Sequence, residues 1–457
     1  MWDQRALNGT QEVYNIASDY DLPLAARGAV KGQLGTRLRK VDSVAQRRTY
    51  YVYDTDWDAD ANQWRSGMGY TPTWTVPSQY ETRNNRLLHY MEYDGSGALL
   101  RTVTYTYFQM GHVSNITIRD GDPREAGSED TWECHDLGLF YTTDGKLWRA
   151  RWSHWDENSE GPVGSVTYDA ARQFYYNGPR QRYLTQEVDP TTWAVLEEEP
   201  GEPTQALTTH MGDMPWADFT VDADWTPTKV RDYLTGDGLH AQIDAATGDV
   251  EFLHGDLTGS TMLRTDDSGE PVSGFSGITY TAFGEPVVNN GSGWQVSGAL
   301  PEGYPRYAYA GQFGYESDLL TLEGANGDLP AVTLAHVGWR WYQAGIGRFV
   351  QRDPIGIAGG PNLYTYASNN PVSKVDPSGK LSWVVGAVTG GIIGGIVGGV
   401  GGWITGGVGG MVRGAVAGAI GGAVTGGLIG AGCDWRTAGR VGGALNGALL
   451  GLLNSLA

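Results

Sequence analysis

Two kinds of hydrophobic patterning divide the chain. From about residue 30 to residue 290, short runs of aromatic and β-branched residues recur, as in Thr49-Tyr-Tyr-Val-Tyr53 and Arg101-Thr-Val-Thr-Tyr-Thr-Tyr107. Runs rich in β-branched and aromatic residues predict strands with alternating faces. Asp-Gly and Asn-Gly pairs punctuate the runs, opening at Asp94, Asp120, Asp144, Asn177, Asp237, Asn290 and Asn326. These dipeptides supply the positive-φ positions that tight hairpins need. Many hairpins in series predict a large antiparallel sheet.

After Lys380 the pattern changes. Residues 381–431 hold 20 glycines set among Val, Ile and Ala, and residues 383–412 carry no charge. Glycine falls at every fourth position from Gly386 to Gly430. This is the small-xxx-small spacing that lets helix backbones approach closely in lipid. Four residues turn a helix by about 400°, so the glycine row drifts about 40° per step and favours two or three short helices over one rod. The expected form is an α-helical hairpin broken near residues 405–413, with arms of the ~20 residues that span a bilayer. Membrane lipid is thus the expected partner of residues 383–432. Two alternatives stay open, helices enclosed by the β-stranded body and, because period four also suits one strand face, strands.

Charge narrows the partners. Asp and Glu number 52 against 32 Lys and Arg, a net −20 over 457 residues. Residues 381–457 hold only Arg413, Asp434, Arg436 and Arg440, which leaves 29 basic and 51 acidic side chains in residues 1–380. Such a body lacks the basic footprint that nucleic acid requires, so no nucleic-acid partner is expected. The 17 tryptophans and 25 tyrosines instead suit stacking on a carbohydrate or other cell-surface ligand. Cys134 and Cys433 form no disulfide framework, and the eight histidines show no metal-ligand spacing. Neither a metal nor another cofactor is expected. The N-terminus shows no cleavable signal peptide, so export is expected by another route or as the end of a longer chain.

The most specific residues cluster late. In order they are Gly347-Arg348-Phe349, Asp353-Pro-Ile-Gly356, Asn362-Leu-Tyr-Thr-Tyr366, Asn370-Pro-Val372 and Asp376-Pro-Ser-Gly379. Before them come His254-Gly-Asp-Leu-Thr-Gly-Ser-Thr261, Pro305-Arg-Tyr-Ala-Tyr-Ala-Gly-Gln312 and Trp339-Arg-Trp-Tyr342. Tyr-Asp pairs recur at Tyr20, Tyr53, Tyr93 and Tyr168. Together these closely resemble the Rhs (rearrangement hotspot), or YD-repeat, proteins and their core domain, most specifically over residues 230–380. The chain departs from that pattern by an apparent insertion near residues 319–332.

The resemblance implies a mainly β fold, part of an antiparallel hairpin-repeat shell, with the glycine-rich tail as its variable C-terminal segment. Residues 1–249 would be the repeat region, 250–380 the core domain and 381–457 the cargo or membrane segment. It implies polymorphic-toxin function in bacterial competition, an immunity or secretion partner, and a secreted or cell-surface, membrane-associated location. It also implies an aspartyl self-cleavage after Lys380, a single turnover, with Asp353 and Asp376 as paired carboxylates. Two close aspartates do not both ionise easily, so one stays protonated as the acid while the other activates water. Arg352 would position a carboxylate or polarise the scissile carbonyl. Cleaving relatives end this motif in leucine where this chain has Lys380. Asp-Pro and x-Gly are also good β-turn formers, and a turn role alone accounts for the same residues. The competing functional reading is a membrane-anchored, wall-associated binding protein without toxin activity.

Overall fold

In the computed structural model the described residues are most of 86–380 and the strands between 2 and 64; past 380 they are Trp383–Val384 and a few single positions. The protein is mainly β. Among the described residues, 17 strands from Trp2–Asn8 to Thr261–Thr265 form one antiparallel sheet in which each strand pairs with the next along the chain. A separate two-stranded ribbon, Trp57–Asp58 with Gln63–Trp64, interrupts the series.

The hairpins close by a shared device. An aspartate at the end of one strand accepts backbone N–H bonds from its own turn, as Asp94 does from Ser96, Gly97 and Ala98 at 2.8–2.9 Å. The residue three places after it takes positive φ, Gly97 at 98°. Asp266 and Gly269 repeat the arrangement, with Gly269 at 85°. This is a type I turn followed by a left-handed residue, a connection that suits the right-handed twist of the flanking strands. Asp94-Gly95 is therefore part of a hairpin as expected, but its positive-φ residue is Gly97.

Burial alternates along the strands as the pattern predicts. In Leu99–Tyr107 the buried positions are Arg101, Val103 and Tyr105, every second residue. The inner face of the sheet meets a four-stranded sheet made of Glu316–Leu322, Val332–Val337, Arg340–Gln343 and Arg348–Phe349. Tyr53, Val103, Ile116, Leu137 and Phe174 from the large sheet share one core with Leu320, Leu334 and Trp341 from the small one and with Val350 just after it. The apparent insertion near 319–332 is thus the loop and flanking strands of this small sheet.

The chain forms two compact units. One comprises residues Met1–Gly255, Gly259–Thr365 and Ser378–Lys380; the other comprises Asp256–Thr258, Tyr366–Pro377 and Leu381–Ala457. In the second unit, Lys374–Val375 pairs antiparallel with Trp383–Val384, so the first described residues of the glycine tail are strand. The helical hairpin expected further on, and most of the lipid partner segment 383–432, lie outside the described residues. No helix among the described residues is long and apolar enough to cross a membrane.

Candidate functional site

Arg340 organises the site in the first unit. It opens the strand Arg340–Gln343, and its side chain is 2 % exposed. Its guanidinium lies over the Phe349 ring, 3.6 Å from the centroid. A buried guanidinium must spend its donors on fixed acceptors, because water is not there to take them. Nη2 pairs with the Asp353 carboxylate at 3.1 Å, Nη1 donates to the Leu363 carbonyl at 3.2 Å, and Nε donates to the Gly379 carbonyl. One side chain therefore ties the first Asp-Pro-x-Gly turn to the end of the second.

Asp353 is held from several sides. Its N–H donates to the Leu363 carbonyl at 2.9 Å, and its Oδ1 accepts the N–H of Ile355 at 3.0 Å. The Gly356 N–H closes the turn on the Asp353 carbonyl at 3.0 Å, so the turn expected from Asp-Pro-x-Gly is formed. The segment Ser378–Lys380 is docked on the loop before Arg340: Trp339 N–H donates to the Ser378 carbonyl at 3.1 Å. Gly379 has φ 66°, and a β-carbon there would run into the Val337 carbonyl oxygen, so the last motif position admits only glycine.

Lys380 is half-buried, and its ammonium sits 3.5 Å from the Trp339 ring centroid. Arg352 is exposed; its backbone N–H donates to His112 Nδ1 at 3.2 Å and its Nη1 reaches the Met110 carbonyl at 3.5 Å. Burial, helped by the Arg352 charge, lowers the His112 pKa to about 4. A cavity of about 310 Å³ opens here, lined by His112, Asp144, Trp339, Gln351, Arg352 and Asp353. It could admit water to Asp353. Asp376 belongs to the second unit, buried at 1 % exposure directly after the strand Lys374–Val375.

Sequence reasoning chose Asp353, Asp376 and Arg352 and missed Arg340. The signal was present in Val337-Gly-Trp-Arg-Trp-Tyr342, where a single charge stands in an otherwise apolar and aromatic run. A charge in a buried strand needs a partner, which makes it a marker for a site or a structural ion pair.

No family model matches the chain. The chain is similar to double-stranded DNA deaminase toxin A of Burkholderia cenocepacia, with 31% identity over 164 residues, covering 35% of this chain and 10% of that protein. It is also similar to toxin subunit YenC1 of Yersinia entomophaga, with 22% identity over 362 residues, 75% of this chain and 34% of that one. Among solved structures, a complex of TcdB2 and TccC3 aligns over 82% of this chain and 18% of its own, at 17% identity and a TM-score of 0.34. Both curated relatives are toxin proteins. The chain spans about a third or less of the length of these curated relatives.

Proposed function

We propose that this chain is the shell-and-core portion of an Rhs-type toxin protein, presenting or enclosing a C-terminal segment that it severs once, after Lys380. The observation that carries this reading is the Arg340 bridge from the Asp353 carboxylate to the Gly379 carbonyl, one residue ahead of the bond in question. That bridge fixes the backbone leading into the Lys380–Leu381 peptide beside a carboxylate and a cavity. In the reaction, one aspartate takes a proton from water as the water oxygen bonds to the Lys380 carbonyl carbon. The other aspartate, protonated, gives its proton to the Leu381 nitrogen as the C–N bond breaks. Asp353 takes one of these roles and Asp376, by resemblance, the other; Arg340 orients the substrate backbone.

The cargo reading of residues 381–457 rests on the uncharged, glycine-spaced sequence and on the toxin relatives. Membrane lipid is the proposed target, and an immunity or secretion partner is the proposed accompaniment. Intact-mass measurement of the purified protein tests the cleavage. The wild type should yield a fragment ending at Lys380, whereas Asp353→Asn and Asp376→Asn should stay at full length. Identical full-length masses for all three would remove self-processing. Expression of residues 381–457 alone should collapse the membrane potential of the host cell; unaffected cells holding a soluble tail would remove the membrane target.

A second reading, a surface-anchored binding protein for a carbohydrate or cell-surface ligand, draws on Trp216, 49% exposed on a strand of the large sheet, and Trp225, 61% exposed in the turn that follows it. Binding of an insoluble cell-wall preparation that falls on Trp225→Ala would favour it.

A further inference from the structure

We propose that Trp339 determines which residue this protein accepts on the carbonyl side of the severed bond, and that its indole face forms a subsite for a cationic side chain, here Lys380. The proposal rests on the cleavage reading above and assigns that reaction its specificity. Two observations carry it. First, the Lys380 ammonium lies 3.5 Å from the Trp339 ring centroid, a close cation–π approach. Second, the backbone on both sides of this contact is fixed. Trp339 N–H donates to the Ser378 carbonyl, the neighbouring Arg340 holds the Gly379 carbonyl, and Lys380 N–H donates to Ser378 Oγ at 3.2 Å. The side chain of Lys380 thus meets the ring because the chain is pinned there, and the ring replaces part of the water that the ammonium gives up on docking.

The same ring also faces a second cation. A second ammonium, that of Lys146, stands 5.5 Å from the same ring centroid and is balanced by Asp144 at 3.2 Å. A leucine at position 380 would gain apolar contact with the indole but would forgo the cation–π attraction. Lys380 is therefore matched by a residue that suits it.

The test has two arms. In the first, release of the tail is timed by intact mass for the wild type, Trp339→Leu, Lys380→Leu and the double variant. Trp339→Leu should slow release roughly threefold to thirtyfold, the range of a partly desolvated cation–π contact. Trp339→Phe, which keeps a ring, should slow it less. The double variant should recover to within about threefold of the wild type, because an apolar pair replaces a cation–π pair. In the second arm, Asp353→Asn holds the chain intact and trypsin is offered the Lys380–Leu381 bond. Adding Trp339→Leu should raise the tryptic rate there by a similar factor, since Lys380 is no longer held on the ring. Unchanged rates in both arms would overturn the subsite, as would a double variant as slow as the two single losses multiplied. If the wild type releases nothing yet Trp339→Leu exposes Lys380 to trypsin, the cation–π contact stands, and the self-cleavage reading falls together with the specificity role assigned to Trp339.

Discussion

Glu316→Ala is expected to destabilise the first unit by about 3–5 kcal/mol, the cost of breaking a buried ion pair by removing one partner. Glu316 is 3% exposed and sits at the centre of a buried network. Its Oε2 accepts from Arg182 Nε and Nη2 at 3.1 and 2.8 Å and lies 3.3 Å from His336 Nδ1; its Oε1 accepts from Arg306 at 3.0 Å. Arg306 in turn pairs with Asp218 at 2.9 Å. Arg182 and Asp218 belong to the large sheet and Glu316 to the small one, so this network pins the two sheets that share the core. Alanine would leave Arg182 without its carboxylate in a place that water does not reach.

The same residue gives the loss a pH signature. Burial alone would push the Glu316 pKa up, but the Arg182 and Arg306 guanidiniums overcome it and hold the carboxyl well below its ordinary range. A carboxylate depressed in the folded state contributes stability that is present above its unfolded pKa, about 4.3, and is lost as pH falls through the folded value. The stability gap between the wild type and Glu316→Ala, from denaturant titrations, should therefore be flat from pH 7 down to about pH 5 and narrow below that. A gap that widened on acidification would mean that the arginines do not stabilise the charged form.

The extent to which this structure can be read from sequence follows the range of the interactions. Strand alternation and turn residues act over a few positions, so the hairpin sheet is legible; Gly121 and Gly145 have positive φ, 91° and 83°, where Asp120-Gly121 and Asp144-Gly145 predict it. Trp193 and Trp225 adopt φ 63° in turns that close on Asp189 and Asp222, a conformation no propensity would assign to tryptophan. At Trp193 tertiary contacts offset the strain, since the ring packs edge-on to Phe140 at 5.4 Å and under Arg149 at 4.5 Å. The Arg182–Glu316 pair is separated by 134 positions, and nothing local in either segment reports it. The site shows the same division. Motif order exposes Asp353 and the Gly379–Lys380 terminus, whereas the choice between Arg340 and Arg352 depends on which arginine the fold turns inward. Adjacency in sequence favoured Arg352, yet that side chain is exposed and the buried guanidinium paired with Asp353 is Arg340.

Arg340→Met should therefore abolish release of the tail and also lower stability by about 3–5 kcal/mol, because Asp353 loses a buried counter-charge. Both effects follow from one geometry: the guanidinium fork serves Asp353, Leu363 and Gly379 at once, and methionine fills the volume without offering a donor. Arg340→Lys keeps the charge but replaces the planar fork with one ammonium, which does not satisfy three acceptors in fixed, divergent directions. It should recover part of the stability while release stays at least about a hundredfold slower, provided Arg340 acts by positioning the Gly379 backbone as well as by charge. A double-mutant cycle separates positioning from simple damage to the fold. With Asp353→Asn already in place, Arg340→Met removes no buried counter-ion, so its stability cost should shrink by about 1–3 kcal/mol relative to its cost in the wild type. Denaturant titration of the four proteins measures that coupling, and intact mass measures release. Strictly additive stabilities would show that the two side chains do not act as a pair, and with that the bridge from the first Asp-Pro-x-Gly turn to the second would lose its place in the mechanism.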